Sequence, residues 1–319
     1  MATAKKLSWV LRLNGVTLRL RDLSRRLFPF LLDPLKIRAV ALETTTACTR
    51  NCPYCPPHSN MAIPPLKMSR EIFTRAVSSL GARGYAGDIF FSLYGESLAD
   101  DRLGSLLAEA KAAAPAARLV VFTNGDLLTV ERFLSLRAAG LDVMFISLHS
   151  PEPGEALAGT LEKIKRDCPG PDCVGLVDYY SQYLPGNDVG LLNNKGGLAD
   201  VHRRPFLSCC DIESACVDCL GNVLLCNNDC TSSYVFGNVL EKDFYEIWEA
   251  PAFVLARRKI TRGKWIFEIC RRCMSRGGLT TPVPRGKAAR LPPAFNDMAA
   301  TLKKLEEEAA AKKKGGRRA

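Results

Sequence analysis

Nowhere does the chain carry an apolar run near the ~20 residues that a membrane span requires, which excludes an integral helical membrane protein. The opening stretch, Met1 to Arg12, has two lysines but too short an apolar segment for a signal peptide, so export is not expected and the chain reads as cytoplasmic. No internal repeat is visible, which sets aside solenoids and propellers. A charge surplus spread over the whole chain is also missing. The formal net charge is +11, yet residues 1–36 and 285–319 contribute +6 each and residues 37–284 sum to −1. Basic ends of this kind read as solvated tails, and a nucleic-acid partner is not expected.

What the chain does have is apolar bulk and sulfur. Its 319 residues, 47% hydrophobic and 24% charged, leave room for about two domains with a sizeable core. Thirteen cysteines stand at positions 48, 52, 55, 168, 173, 209, 210, 216, 219, 226, 230, 270 and 273. An odd count, tight spacing and no export signal argue against a disulfide framework and for metal or iron–sulfur ligation.

From residue 37 the hydrophobic pattern alternates between buried strands and amphipathic helices. Strands are predicted at Ala39–Glu43, Ile89–Leu93, Leu119–Phe122, Val143–Ile146 and Val174–Val177; they lack period-2 alternation, as strands covered on both faces do. Between them Ile72, Phe73, Ala76, Val77 and Leu80 share one helical face, as do Leu103, Leu106, Leu107 and Ala110. Val130, Phe133 and Leu134, then Leu157, Leu161, Ile164 and Cys168, repeat the spacing. Such alternation builds right-handed βαβ units around a parallel sheet, with chemistry at the carboxyl ends of the strands. That rule selects Glu43 to Cys55, Tyr94 to Glu96, Thr123 to Gly125, Ser147 to Ser150 and Asp178 to Tyr180. Asp188–Leu192 is available as a short sixth strand. Ala215–Val217 and Val223–Leu225 flank Gly221 and Asn222 like a hairpin, and Met298 to Lys312 reads as an exposed helix.

Cys48, Cys52 and Cys55 form a C-x3-C-x2-C loop directly after the first strand. Three close thiolates can hold three irons of a 4Fe–4S cube and leave the fourth iron open for chemistry, whereas an electron carrier is normally closed by a fourth cysteine. Structural zinc wants four ligands, and His58 is the nearby residue that could be proposed. With Tyr54 just before the last cysteine, the loop resembles that of the radical S-adenosylmethionine (SAM) superfamily. The resemblance implies a 4Fe–4S cluster on Cys48, Cys52 and Cys55 whose open iron is chelated by SAM. It also implies one-electron cleavage of SAM to a 5′-deoxyadenosyl radical that takes a hydrogen atom from substrate. Tyr94, Gly95 and Glu96 stand where the family has a Gly-Gly-Glu-like motif for the SAM ammonium, with Tyr94 departing from the first glycine. Asn124 and Ser147 stand where the family approaches the rest of SAM, and His149, Asp178, Tyr179 and Tyr180 are further candidates near the strand ends.

A second constellation comprises Cys209 or Cys210, Cys226 at the end of a Gly-x4-Cys hairpin from Gly221, and Cys270 with Cys273. It resembles the SPASM/twitch extension, in its one-cluster form, and implies one auxiliary 4Fe–4S cluster. Phe236 to Val239 with Ile247 and Trp248 fit the pattern that follows that hairpin. Cys216 and Cys219 read as packed thiols, Cys230 as a spare, and Cys168 and Cys173 as structural. A zinc site on Cys216, Cys219, Cys270 and Cys273 is the rival, and it leaves Cys209, Cys210 and Cys226 unexplained.

The resulting expectation is an α/β protein: a partial (β/α) barrel of parallel strands followed by a small β-hairpin-plus-helix domain. Its boundaries are a basic segment 1–36, a radical SAM core 37–185, a Gly/Asn-rich connection 186–208, an auxiliary-cluster domain 209–281 and a basic tail 282–319. The expected activity is hydrogen-atom abstraction coupled to oxidation of a small, sugar-like substrate, with a flavodoxin or ferredoxin as reductant. The alternatives are peptide or protein side-chain modification, and a non-catalytic iron–sulfur or zinc protein.

Overall fold

The computed structural model describes residues 33–52, 65–150, 152–168, 173–178, 209, 211–274 and 297–315. Its first half alternates β1 (Ala39–Leu42), α1 (Arg70–Ala82), β2 (Asp88–Phe90), α2 (Leu103–Ala113), β3 (Arg118–Thr123), α3 (Val130–Ala138), β4 (Val143–Leu148), α4 (Glu155–Asp167) and β5 (Val174–Asp178). Helix starts are written locally. Ser69 accepts a hydrogen bond from the Ile72 N–H at 3.2 Å to cap α1, and Thr129 caps α3 through the Arg132 N–H at 3.1 Å. The apolar face of α1 is the predicted one, with Ile72, Phe73, Ala76, Val77 and Leu80 all buried.

Among the described residues the strands form one sheet in the order β5-β4-β3-β2-β1-β6-β7-β8. Its two faces differ. Val40, Leu42, Ile89, Leu119 and Val121 belong to the main core, which is shared with the helices. The alternate residues turn the other way: Ala41 packs with Cys216, Leu224 and Phe90. Further along this face Phe90 meets Phe122 edge-on at 5.5 Å, and Phe122 stacks on Phe145 at 5.1 Å. Gly175 completes the row, since a Cβ there would come within 2.5 Å of the Phe145 ring.

Among the described residues the sixth parallel strand is β6 (Ser214–Val217), which pairs with β1 on the side opposite β2. Asp188–Leu192, the segment available for that role in the sequence, lies outside the described residues. β6 continues into the expected hairpin with β7 (Asn222–Leu224), turning at Gly221 with a φ of +86°, and β8 (Val235–Asn238) closes the edge. The strand that ends the core sheet is therefore also the first strand of the C-terminal region.

Among the described residues four helices follow: α5 (Phe244–Trp248), α6 (Pro251–Thr261), α7 (Glu268–Met274) and α8 (Met298–Gly315). Arg257 is buried between the rings of Trp248 and Phe253, its guanidinium carbon 3.7 and 4.1 Å from their centroids. The Met298 to Lys312 helix is present but is not simply exposed. Its Leu305 is buried in the main core, and Lys259 of α6 pairs with Glu308 at 2.6 Å. Among the described residues no helix is long and apolar enough to cross a membrane.

Candidate functional site

The carboxyl ends of β1, β2, β3 and β4 meet at one rim of the sheet, and the loop after β1 is tied to its neighbours by side chains. Cys48 is half-buried, and its sulfur accepts the Arg50 N–H at 3.4 Å and the Asn124 amide at 3.9 Å. Burial pushes its thiol pKa up, with Glu96 and Cys52 adding to the rise, which places both groups within electrostatic reach. Cys52 is half-buried with a free thiol. Tyr54, Cys55 and His58 lie outside the described residues.

Glu96 is buried and heavily engaged. Its carboxylate accepts from Thr123 Oγ1 at 2.7 Å and the Leu98 N–H at 2.9 Å through one oxygen, and from the Asn124 N–H at 2.8 Å through the other. Burial raises its pKa against the pull of those three donors. The second oxygen takes one hydrogen bond and so keeps acceptor capacity for a cation. Gly95 must be glycine for a packing reason: a Cβ there would sit 2.0 Å from the Thr45 carbonyl oxygen. The end of β2 thus lies directly on the loop that carries Cys48, and the Glu96 N–H donates to Ala47 O at 2.8 Å. Tyr94, the departure from the family motif, donates its hydroxyl to the Asn227 carbonyl, beside Cys226.

Asn124 is buried and bridges two loops, donating to Thr49 Oγ1 at 3.0 Å while its Oδ1 accepts the Asp126 N–H at 2.9 Å. Beyond it is a clamp that sequence reasoning missed. Arg50 donates through Nε at 2.8 Å and through Nη2 to Asp126, and Thr49 adds a third bond to the same carboxylate at 3.0 Å. Arg50 holds the Asp126 carboxyl below its usual range. The signal was a basic residue inside the cysteine loop and an acid just past the β3 turn, but nothing in the sequence paired them. Ser147 lies near the carboxyl end of β4, and His149 follows it. Burial and then Arg50 push the His149 pKa down to about 4, so the imidazole is neutral at pH 7. Asp178 ends β5, and Tyr179 and Tyr180 lie outside the described residues.

In the C-terminal region Cys226 follows β7, and Cys209 and Cys270 are half-buried against the main core. Cys210 lies outside the described residues, as does the Cys273 side chain. Cys216 and Cys219 are packed, as expected: the Cys219 thiol donates to the Glu43 carbonyl at 2.9 Å, and Cys216 sits with Ala41 and Leu224. Cys168 and Cys173 face each other across the α4–β5 turn with sulfurs 2.9 Å apart. Among the described residues no three His, Cys, Asp or Glu side chains converge as a metal site, and each candidate cysteine set has a member beyond them. The donor chemistry of the first loop nevertheless suits an iron–sulfur group, with two thiols in reach of each other and N–H groups turned onto sulfur.

Residues 42–186 match the model of the radical SAM superfamily. The chain carries a domain of that superfamily. Residues 209–274 match the SPASM model, an iron–sulfur cluster-binding domain. The first domain implies a 4Fe–4S cluster with SAM, and the second implies auxiliary iron–sulfur binding. Among curated relatives, an S-adenosyl-L-methionine-dependent 2-deoxy-scyllo-inosamine dehydrogenase from Niallia circulans is 28% identical over 73% of this chain and 91% of its own length. A GTP 3′,8-cyclase from Synechococcus sp. (strain WH7803) is 37% identical, but over only 35% of this chain and 34% of the cyclase. Among solved structures, BtrN in complex with AdoMet and 2-DOIA superposes with a TM-score of 0.63 at 25% identity, covering 76% of this chain and 95% of BtrN.

Proposed function

We propose that this chain is a radical SAM dehydrogenase that oxidises an alcohol of a small, sugar-like substrate. Cys48, Cys52 and Cys55 hold the catalytic 4Fe–4S cluster, and Cys209 or Cys210 with Cys226, Cys270 and Cys273 hold an auxiliary one. When bound, the first cluster and SAM supply the 5′-deoxyadenosyl radical. The chain's own residues set the stage for it. Glu96 offers an oxygen to the SAM ammonium, and Asn124 and the Arg50–Asp126 clamp fix the loop that carries Cys48.

The observation that carries this reading is the meeting of Cys48, Cys52 and Glu96 at one rim, in a chain that matches a SAM-dependent dehydrogenase over nearly that relative's whole length. A flavodoxin or ferredoxin in the cytoplasm fits the need for single low-potential electrons. The test is anaerobic reconstitution followed by dithionite, SAM and 2-deoxy-scyllo-inosamine, with 5′-deoxyadenosine and ketone measured together. Equal yields of the two are expected. Neither product from a chain with its full iron content would favour a non-catalytic carrier.

A further inference from the structure

Between the carboxyl end of β1 and the β6–β7 hairpin lies a pocket of about 230 Å³, lined among the described residues by Glu43, Tyr94, Asp218, Cys219, Asp229 and Cys230, with others. It is bounded on one side by the residue preceding Gly95 and Glu96, and on another by the hairpin that leads to Cys226. That volume falls below the ~300–1,000 Å³ of pockets for drug-sized ligands, which suits a single-ring metabolite better than a peptide segment.

Three carboxylates border this pocket, and two are consumed by the fold. Asp218 accepts from the Leu220 and Asn222 N–H groups, the Asn222 amide and the Ser232 hydroxyl, all at 2.8–2.9 Å. Asp229 accepts from the Ser233 and Tyr234 N–H groups at 2.9 and 2.7 Å and from the Thr231 hydroxyl at 3.4 Å. Glu43 differs. It follows Ala41 by two residues, so it continues the inner face of β1 past the strand end. It is 6% exposed, and its carboxylate accepts a long 3.4 Å bond from the Cys219 N–H together with the Tyr94 backbone and the Cys219 side chain, none of which belongs to a turn of its own. A carboxyl buried among apolar side chains and a neighbouring acid, and not spent on a turn, is placed to exchange a proton with whatever occupies the pocket.

We propose that Glu43 is the proton acceptor when the substrate alcohol is oxidised. This rests on the dehydrogenase reading above. The C–H bond at the carbinol carbon breaks and its hydrogen atom leaves in 5′-deoxyadenosine. The O–H bond of the resulting carbinol radical would then break, its proton passing to the Glu43 carboxylate as C=O forms, while an iron–sulfur group, when bound, would take the remaining electron. Burial, and after it the charge of Asp218, pushes the Glu43 pKa up to about 7, which suits a base working near neutral pH.

The test compares wild-type, Glu43→Gln and Glu43→Asp full-length chains, each reconstituted to the same iron content, with 2-deoxy-scyllo-inosamine as the probe. Glu43→Gln is expected to bind the probe in calorimetry as wild type does and still to form 5′-deoxyadenosine. Its ketone yield should fall about 10²–10⁴-fold, the usual range for a lost acid–base group, with partial recovery in Glu43→Asp. Ketone formation in Glu43→Gln at the wild-type rate would overturn the role of Glu43 and leave the dehydrogenase reading standing. Loss of probe binding with unchanged turnover at saturation would overturn it in favour of a binding role. Wild-type protein that makes 5′-deoxyadenosine but no ketone would overturn the dehydrogenase reading and Glu43's role with it.

Discussion

At the scale of single residues, the rim is held by contacts that carry charge or leave no room. The Arg50–Asp126 pair is about one-third exposed on each side, so its contribution to stability is modest, near 1 kcal/mol, but it fixes the loop between Cys48 and Cys52. Asp126→Asn is therefore expected to barely move the unfolding midpoint while slowing iron incorporation at the first loop, followed by absorbance during reconstitution. Because Arg50 lowers the Asp126 pKa, this contribution is present above the carboxyl's unfolded value and is lost as pH falls through its depressed one. Gly95→Ala should be far costlier, about 1–3 kcal/mol, since its Cβ meets the Thr45 carbonyl; the readout is urea denaturation of the chain together with its iron content. Glu43 runs in the opposite sense to Asp126. Its folded pKa of about 7 exceeds the unfolded value, so the folded chain holds the extra proton between about 4.5 and 7 and loses stability as pH rises through that window. Glu43→Gln should flatten that part of a pH–stability curve by up to ~3 kcal/mol.

At the scale of elements, the parallel strands were legible because burial on both sides erases period-2 alternation and leaves continuous apolar runs. Val40, Leu42, Ile89 and Leu119 declared themselves in that way. The helix faces were legible on α1 and α2, whereas on α3 Leu136 is buried and the expected Leu134 is exposed. Glu43 stood within the region selected at the end of β1 but received no role, since a carboxylate at a strand end looks the same in sequence whether it faces solvent or a pocket. Gly95 was legible as a position requiring glycine, but the partner that requires it is the Thr45 backbone, which only the packing of β2 on the cysteine loop reveals. The pairing of β6 with β1 was not legible either: period and turn chemistry identify the hairpin, and no local signal names a partner so distant in the chain. The hairpin depends on Asp218, whose carboxylate receives four donors from the turn and from Ser232. Asp218→Ala is expected to cost about 2–4 kcal/mol in chemical denaturation, and to loosen Cys226 relative to Tyr94.

At the scale of the whole molecule, the two matched domains share one sheet. Removing everything after residue 208 would take away β6 and leave one edge of β1 unpaired, with Val40 and Leu42 stripped of neighbours from the C-terminal half. Such a truncated chain is expected to aggregate on expression, and size-exclusion chromatography would check this; a monomeric, cooperatively unfolding fragment would show that the first half is an independent unit. The arrangement also sets a timetable at the ribosome. β1 emerges early but pairs on one side with a strand centred about 175 residues later, as Ala39 opposite Ser214 records. At a synthesis rate of about 5–20 residues per second, that flank stays open for roughly 10–30 s. A nascent chain would need a chaperone over this interval, and metal delivered before β6 arrives would meet a cysteine loop whose supporting strand is still half-dressed.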